Sequence, residues 1–232
     1  MLVERLNPQP KADFDVTTIL TTNIMNSTEA VRANNEARLK ELGIGVNPAL
    51  PYIESADDVS PRNAREVAQM LVSLSYMIRI GHGYPISDAK EHLTKLGAID
   101  VLGSTTLDIL NSGSLNEQQK IDLIWQAEAA QALAWALNLA ELDNTRSCDN
   151  DLAARMPFGT REREFIHGAQ LRSIAEIQEQ VDLVYLMHWF AVNCRFTGSH
   201  CALNESVIRE RRRALDWIYG IDEDWDEIPM DT

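Results

Sequence analysis

Three cysteines in 232 residues, Cys148, Cys194 and Cys201, are too few and too scattered to staple a fold. Their scarcity suits a reducing compartment, so the expected location is the cytoplasm. Long apolar runs are missing too. The longest, Ala129 to Ala140, is twelve residues and contains Gln131 and Asn138, well short of the ~20 residues that cross a bilayer. The opening MLVERLNPQPKADF lacks a charged lead, an apolar core and a cleavage-like end, so it does not read as an export leader. Basic residues are outnumbered 21 to 35, for a net charge of −14. That balance argues against non-specific binding to nucleic acid or an anionic membrane, both of which need a positive surface.

Catalytic signatures are absent as well. There is no nucleophile elbow, Walker loop, dinucleotide fingerprint or HExxH in the sequence, and the glycines of GIG and GHG are turn signals. Cys194, His200 and Cys201 lie close together with His188 upstream, but their spacing matches no zinc pattern, and His188 and Cys194 point to different sides of one helix. No metal or other cofactor is expected. His82 reads as a loop histidine and His92 as a helix-surface one, with nothing nearby in sequence to activate either.

What the chain does contain is helical periodicity over most of its length. With 45% apolar and 24% charged residues it has the makings of a packed core. Residues 1–26 carry Pro8 and Pro10 and a β-prone run from Val16 to Thr22, and read as a short extended arm. From residue 27 to 232 the pattern predicts one all-α domain of about seven helices. The first runs from Thr28 to Leu42 with Gly43 as its stop, and a proline-bearing connector follows. Ser60 and Pro61 are placed to open the second, which buries Val67, Met70, Leu71, Leu74 and Ile78 and ends at GHGYP. Ser87 opens a shorter helix that stops before Gly97, and one or two turns follow at Thr106 to Leu110.

The longest prediction is Asn116 to Leu142, apolar on nearly every side and therefore central. Its face groups Ile121, Trp125, Ala132, Trp135 and Leu139, with Glu128 in the middle. A polar, turn-rich loop follows through RERE, with a short helix near Leu152 to Met156. Ser173 and Glu176 form a capping box for Ile174 to Phe196. Asn204 caps the final helix and Gly220 ends it.

Three polar side chains fall on apolar faces of three helices: Glu128, His188 and Arg211. Burying a lone charge costs several kcal/mol, so such groups pair, hydrogen-bond or become neutral. One reading is a structural network that fixes helix register. The other is a polar pocket in which Arg211 holds an anion and Glu128 or His188 moves a proton, with Tyr185, Trp125, Trp225 and Asp226 in support. For the run Arg209, Arg211, Arg212 and Arg213 the expectation is that all but Arg211 reach solvent and meet the acidic tail. Trp125, Trp135, Trp189 and Trp217 read as core, and Trp225 as an anchor that packs the tail on the body.

Several phrases carry a family resemblance: NPALPYIES followed by REVAQ, the helix WQAEAAQALAWAL, LRSIAEI leading to YLMHW, and ERRRALDW with the closing WDEIPMDT. Over about Thr28 to Thr232 they resemble the bacterial domain-of-unknown-function family 4272. Two places depart from that pattern. Arg212 stands where the family often has histidine, and WQAE replaces a WRYE-like phrase. The resemblance implies a mostly helical domain and no established activity.

Two functions from different classes stay open on this reading. The first is a cytoplasmic binding or interaction protein, acting through an acidic surface on a protein partner or as a homodimer. The second is an enzyme or small-anion sensor built on Glu128, His188 and Arg211.

Overall fold

The computed structural model describes residues 27–159 and 161–232, and within them the chain is all-α, with nine helices and no strand. The arm and edge strand expected within residues 1–26 lie outside the described residues.

Helix α1 (Thr28–Glu41) opens on Ser27, whose side chain accepts from the Ala30 N–H, and closes before Gly43. After the extended connector, α2 (Ala64–Gly81) starts later than Ser60 and Pro61 suggest. Its cap is Asn63, in a reciprocal box with Glu66. The delay has a tertiary cause. The Arg62 N–H donates to the Ile218 carbonyl at 2.9 Å, and the Ser60 backbone lies where a Cβ on Gly220 would come within 2.4 Å of it. Residues 60–62 are therefore held extended against the end of the last helix.

Helices α3 (Ile86–Leu96) and α4 (Ser104–Ser112) follow. Gly103, at the N-cap of α4, offers no side chain, and the cap comes from the tail: Asp226 Oδ2 accepts the Thr105 N–H at 2.7 Å. A Cβ at Gly103 would sit 2.4 Å from the Asp226 carboxyl carbon, so glycine here lets the tail approach. Asp226 is thus a helix cap, and no hydrogen bond among the described residues links it to Glu128, His188 or Arg211.

Helix α5 (Glu117–Ala136) is capped by Asn116 and Gln119 and ends six residues earlier than its periodicity predicts. The chain turns at Asn138, in left-handed conformation, and Arg172 satisfies the helix end: its N–H bonds to the Ala136 carbonyl and its Nε to that of Trp135, both at 2.9 Å. Ala129, Ala130, Ala132, Ala134 and Ala136 are fully buried, so neighbouring backbones pack close.

Short α6 (Leu152–Arg155) lies in the polar loop, and α7 (Glu162–Gly168) forms where only loop was expected. Ile166 of α7 is buried and the helix packs on α2, contacts invisible to local propensity. Helix α8 (Ile174–Thr197) has the Ser173 and Glu176 box, and α9 (Glu205–Tyr219) has Asn204 as cap and Gly220 at φ 90° as stop, both as expected.

Helix α5 packs between α2 and α9; α8 lies against α9, α1 covers α8 and α7 covers α2. One apolar core runs from Leu39 to Ile228. Each fully buried Leu, Ile or Met in it contributes roughly 1.5–3 kcal/mol. The predicted face of α5 is half right. Trp135 is buried, but Ile121 and Trp125 are 48% and 40% exposed. They flank a groove opposite Arg209 and Arg213 of α9, and α9 cannot cover them without burying those guanidinium groups. Trp189 is only half-buried, while Trp217 and Trp225 meet edge to face at 5.7 Å, which fixes the tail. No helix among the described residues is long and apolar enough to cross a membrane.

Candidate functional site

Glu128 and Arg211 do meet. Arg211 Nη2 donates to Glu128 Oε2 at 2.9 Å, with side chains 1% and 5% exposed for Arg211 and Glu128. The pair is closed by backbone from the polar loop. Arg211 Nη1 donates to the Asp143 carbonyl at 2.6 Å and to Asn144 Oδ1 at 3.3 Å, and Glu128 Oε1 accepts the Cys148 N–H at 3.0 Å. Gln131, one turn along α5, holds the same loop through the Glu141 carbonyl and the Asp149 N–H. Burial, and then the Glu128 charge, push the Cys148 thiol up to about 11, so it is no nucleophile at neutral pH. These residues tie residues 141–149 to α5 and α9, and Arg211 faces a sealed interior.

His188 does not join that pair. Its Nδ1 lies 2.9 Å from Nη1 of Arg212, the next arginine along. Arg212 is 6% exposed, mostly buried where full exposure to solvent was expected. Its Nε donates to Asp216 Oδ2 at 3.1 Å and its Nη1 also to the Asp231 carbonyl at 2.7 Å. Because a guanidinium only donates, His188 must accept through Nδ1 and is neutral there. Burial, reinforced by the Arg212 charge, holds its pKa down to about 4. Burial also pushes the Asp216 carboxyl up to about 7, against the pull of Arg212.

The rest of the arginine run corrects in the same sense. Arg209 and Arg213 both pair with Glu210, at 3.3 and 2.9 Å, not with the acidic tail. Where arginines hold the tail, they hold its backbone: Arg212 at Asp231, and Arg62 at the carbonyls of Asp222 and Glu223.

Beside Arg212 the surface opens into a cleft of about 420 Å³, within the range of small-molecule sites (roughly 300–1,000 Å³). Its walls come from the connector at residues 50–54, from Val181 and Tyr185 of α8, and from Ile221, Pro229 and Asp231 of the tail; Arg212 and Asp216 line it from α9. Tyr185 lies between two guanidinium groups, Arg212 at 4.9 Å and Arg32 at 6.0 Å from its ring centre. Arg32 is fully engaged, with Asp182 at 2.8 Å and the carbonyls of Leu50 and Pro51, so it builds the wall. Of the residues expected in support, Tyr185 is in this cleft, Trp225 is a core anchor and Trp125 sits in the α5–α9 groove.

A second polar cluster escaped sequence reasoning. Glu162, 3% exposed, accepts from Tyr76 OH at 2.8 Å and from the Gly159 N–H at 2.7 Å, and lies 2.6 Å from His92 Nε2. Burial acts to raise its pKa, but those hydrogen bonds outweigh it and keep the carboxyl below the usual range. His92 is therefore oriented by a buried carboxylate 70 residues away in sequence, a separation no local pattern reports. The helical phase of Tyr76 on α2 was the one available hint. Among the described residues no group of three or more His, Cys, Asp or Glu side chains is placed to hold a metal ion.

Fold and site together define an all-α protein with a sealed ion-pair interior and an arginine-floored cleft on its flank. Residues 31–228 match the family described as Domain of unknown function (DUF4272), and the chain belongs to that family. Comparison with curated proteins and with solved structures found no match.

Proposed function

We propose that this chain is a cytoplasmic, bacterial binding protein whose recognition site is the cleft between the 50–54 connector, α8, α9 and the tail. The observation that carries this reading is the division of labour between neighbouring arginines. Arg211 is closed off by Glu128, Asp143 and Asn144, whereas Arg212 lines an open cleft with apolar walls. An enzyme working through Glu128, His188 and Arg211 would need those three to converge on one accessible point, and His188 is bonded to Arg212 instead. Small-molecule sites combine apolar lining with a few fixed polar groups, and the cleft has that composition.

A thermal-shift screen against metabolites tests the proposal. A ligand at one hundred times its Kd stabilises by about 2.7 kcal/mol. Compounds that raise the Tm of the wild type should lose that effect in Tyr185→Leu and Arg212→Met. Equal shifts in wild type and both variants, or no shift across a broad library, would overturn the cleft as the binding site.

A further inference from the structure

We propose that the cleft takes a small monocarboxylate, its acid group on Arg212 and its apolar or aromatic body along Tyr185 and the connector, with Asp216 taking up a proton as the ligand binds. This rests on the cleft being a binding site. The donor inventory of Arg212 is the starting point. Nε is bonded to Asp216, and Nη1 to His188 and the Asp231 carbonyl, which leaves Nη2 with no acceptor among the described residues. The Arg212 side chain is 8% exposed and lines the cleft, so it is held in place by its other bonds while Nη2 stays accessible from the cleft. A charged acceptor supplied by a ligand makes a stronger bond to such a fixed guanidinium edge than a neutral one does.

Charge narrows the ligand class. A cation cannot accept from Arg212 Nη2, the free donor in the floor. A phosphate dianion would bring two negative charges beneath the rim carboxylates Glu54 and Asp231, with one guanidinium, that of Arg212, among the described lining residues to offset them. A single carboxylate matches one edge and one charge. The walls, Leu50, Pro51, Ile53, Val181, Ile221 and Pro229, suit an apolar body, and Tyr185 presents an aromatic face.

Proton uptake follows from what surrounds Asp216. Arg212 on α9 is its only close cation among the described residues, Glu54 on the connector repels it, and burial favours its neutral form near neutrality. His188 on α8 stays neutral, Arg32 of α1 is neutralised by Asp182, and Asp231 of the tail adds negative charge at the rim. A second carboxylate on Arg212 therefore competes with Asp216 for one positive charge, and the neutral form of Asp216 binds it better.

The test is an isosteric series, 3-phenylpropionate, 3-phenylpropan-1-ol and 3-phenylpropylamine, titrated into the full chain at pH 6 and pH 8 by protein-observed NMR. The acid is expected to bind most tightly at pH 6, to perturb residues 50–54 and Tyr185, and to weaken about tenfold by pH 8 as Asp216 ionises. Asp216→Asn should bind the acid with the same affinity at both pH values. Tighter binding of the alcohol or amine at the cleft overturns the carboxylate assignment and leaves the binding function standing. A wild-type affinity for the acid that does not change with pH overturns the role of Asp216. No perturbation by any of the three at pH 6 overturns the ligand class, and the metabolite screen then decides the binding reading separately.

Discussion

Replacing Arg211 by methionine should destabilise this protein severely without touching the cleft. The substitution removes the partner of Glu128 Oε2 at 2.9 Å and the donor to the Asp143 carbonyl at 2.6 Å. Glu128, 5% exposed at its side chain, would keep only the Cys148 N–H at 3.0 Å. Breaking one side of a buried ion pair costs about 3–5 kcal/mol, because a charge stays buried without its counter-ion. At about 2–4 °C per kcal/mol for a chain of this size, Tm should fall by roughly 6–20 °C. Adding Glu128→Gln removes the orphaned charge, so the double variant should cost less than the sum of the singles by about 1–3 kcal/mol. Urea unfolding of the four proteins measures that coupling, and amide exchange should show faster opening at Cys148 in both singles. A loss below about 1 kcal/mol for Arg211→Met, or strict additivity in the cycle, would refute the view that this pair locks the loop onto α5 and α9.

The buried titrations of His188 and Asp216, on either side of Arg212, act in opposite directions. His188, with its folded pKa near 4 and below the unfolded 6.5, contributes stability that is fully present above pH 6.5 and lost as pH falls towards 4; the stability gap between wild type and His188→Gln should therefore narrow over that window in urea melts. Asp216, raised from 3.8 to about 7, contributes stability that is present below 3.8 and lost as pH rises through 7, so the gap to Asp216→Asn should shrink from pH 4 to pH 7. Trp225→Ala should cost about 3–5 kcal/mol by emptying the site against Trp217, and Asp226→Ala about 0.5–2 kcal/mol with loss of exchange protection in the first turn of α4.

These predictions rest on features that the sequence shows to different degrees. The capping box at Ser173, the cap at Asn204, the stop at Gly220 and the tail anchor Trp225 were legible because each is a local feature of a few neighbouring residues. The polar residues on apolar faces were legible as well, because helical phase alone places Glu128, His188 and Arg211 inward. Their partners were not. Phase gives the same inward direction to Arg211 and His188, yet the first meets Glu128 and the second meets Arg212, whose own burial no periodicity suggested. The start of α2 at Asn63 and the cap of α4 by Asp226 likewise depend on chain segments more than one hundred residues apart.

By itself, then, the sequence determined an all-α chain, most helix ends and the inward set of polar groups, since caps, stops and amphipathic phase act over one or two turns. Tertiary structure alone decided which charges pair, that α7 exists, that Ile121 and Trp125 face outward, and that the free guanidinium edge belongs to Arg212. The physical reason is that an ion pair and a cleft are properties of surfaces brought together from distant segments. Adjacent arginines on one helix diverge by about 100°, and that rotation is enough to send one into a sealed core and its neighbour to an open wall.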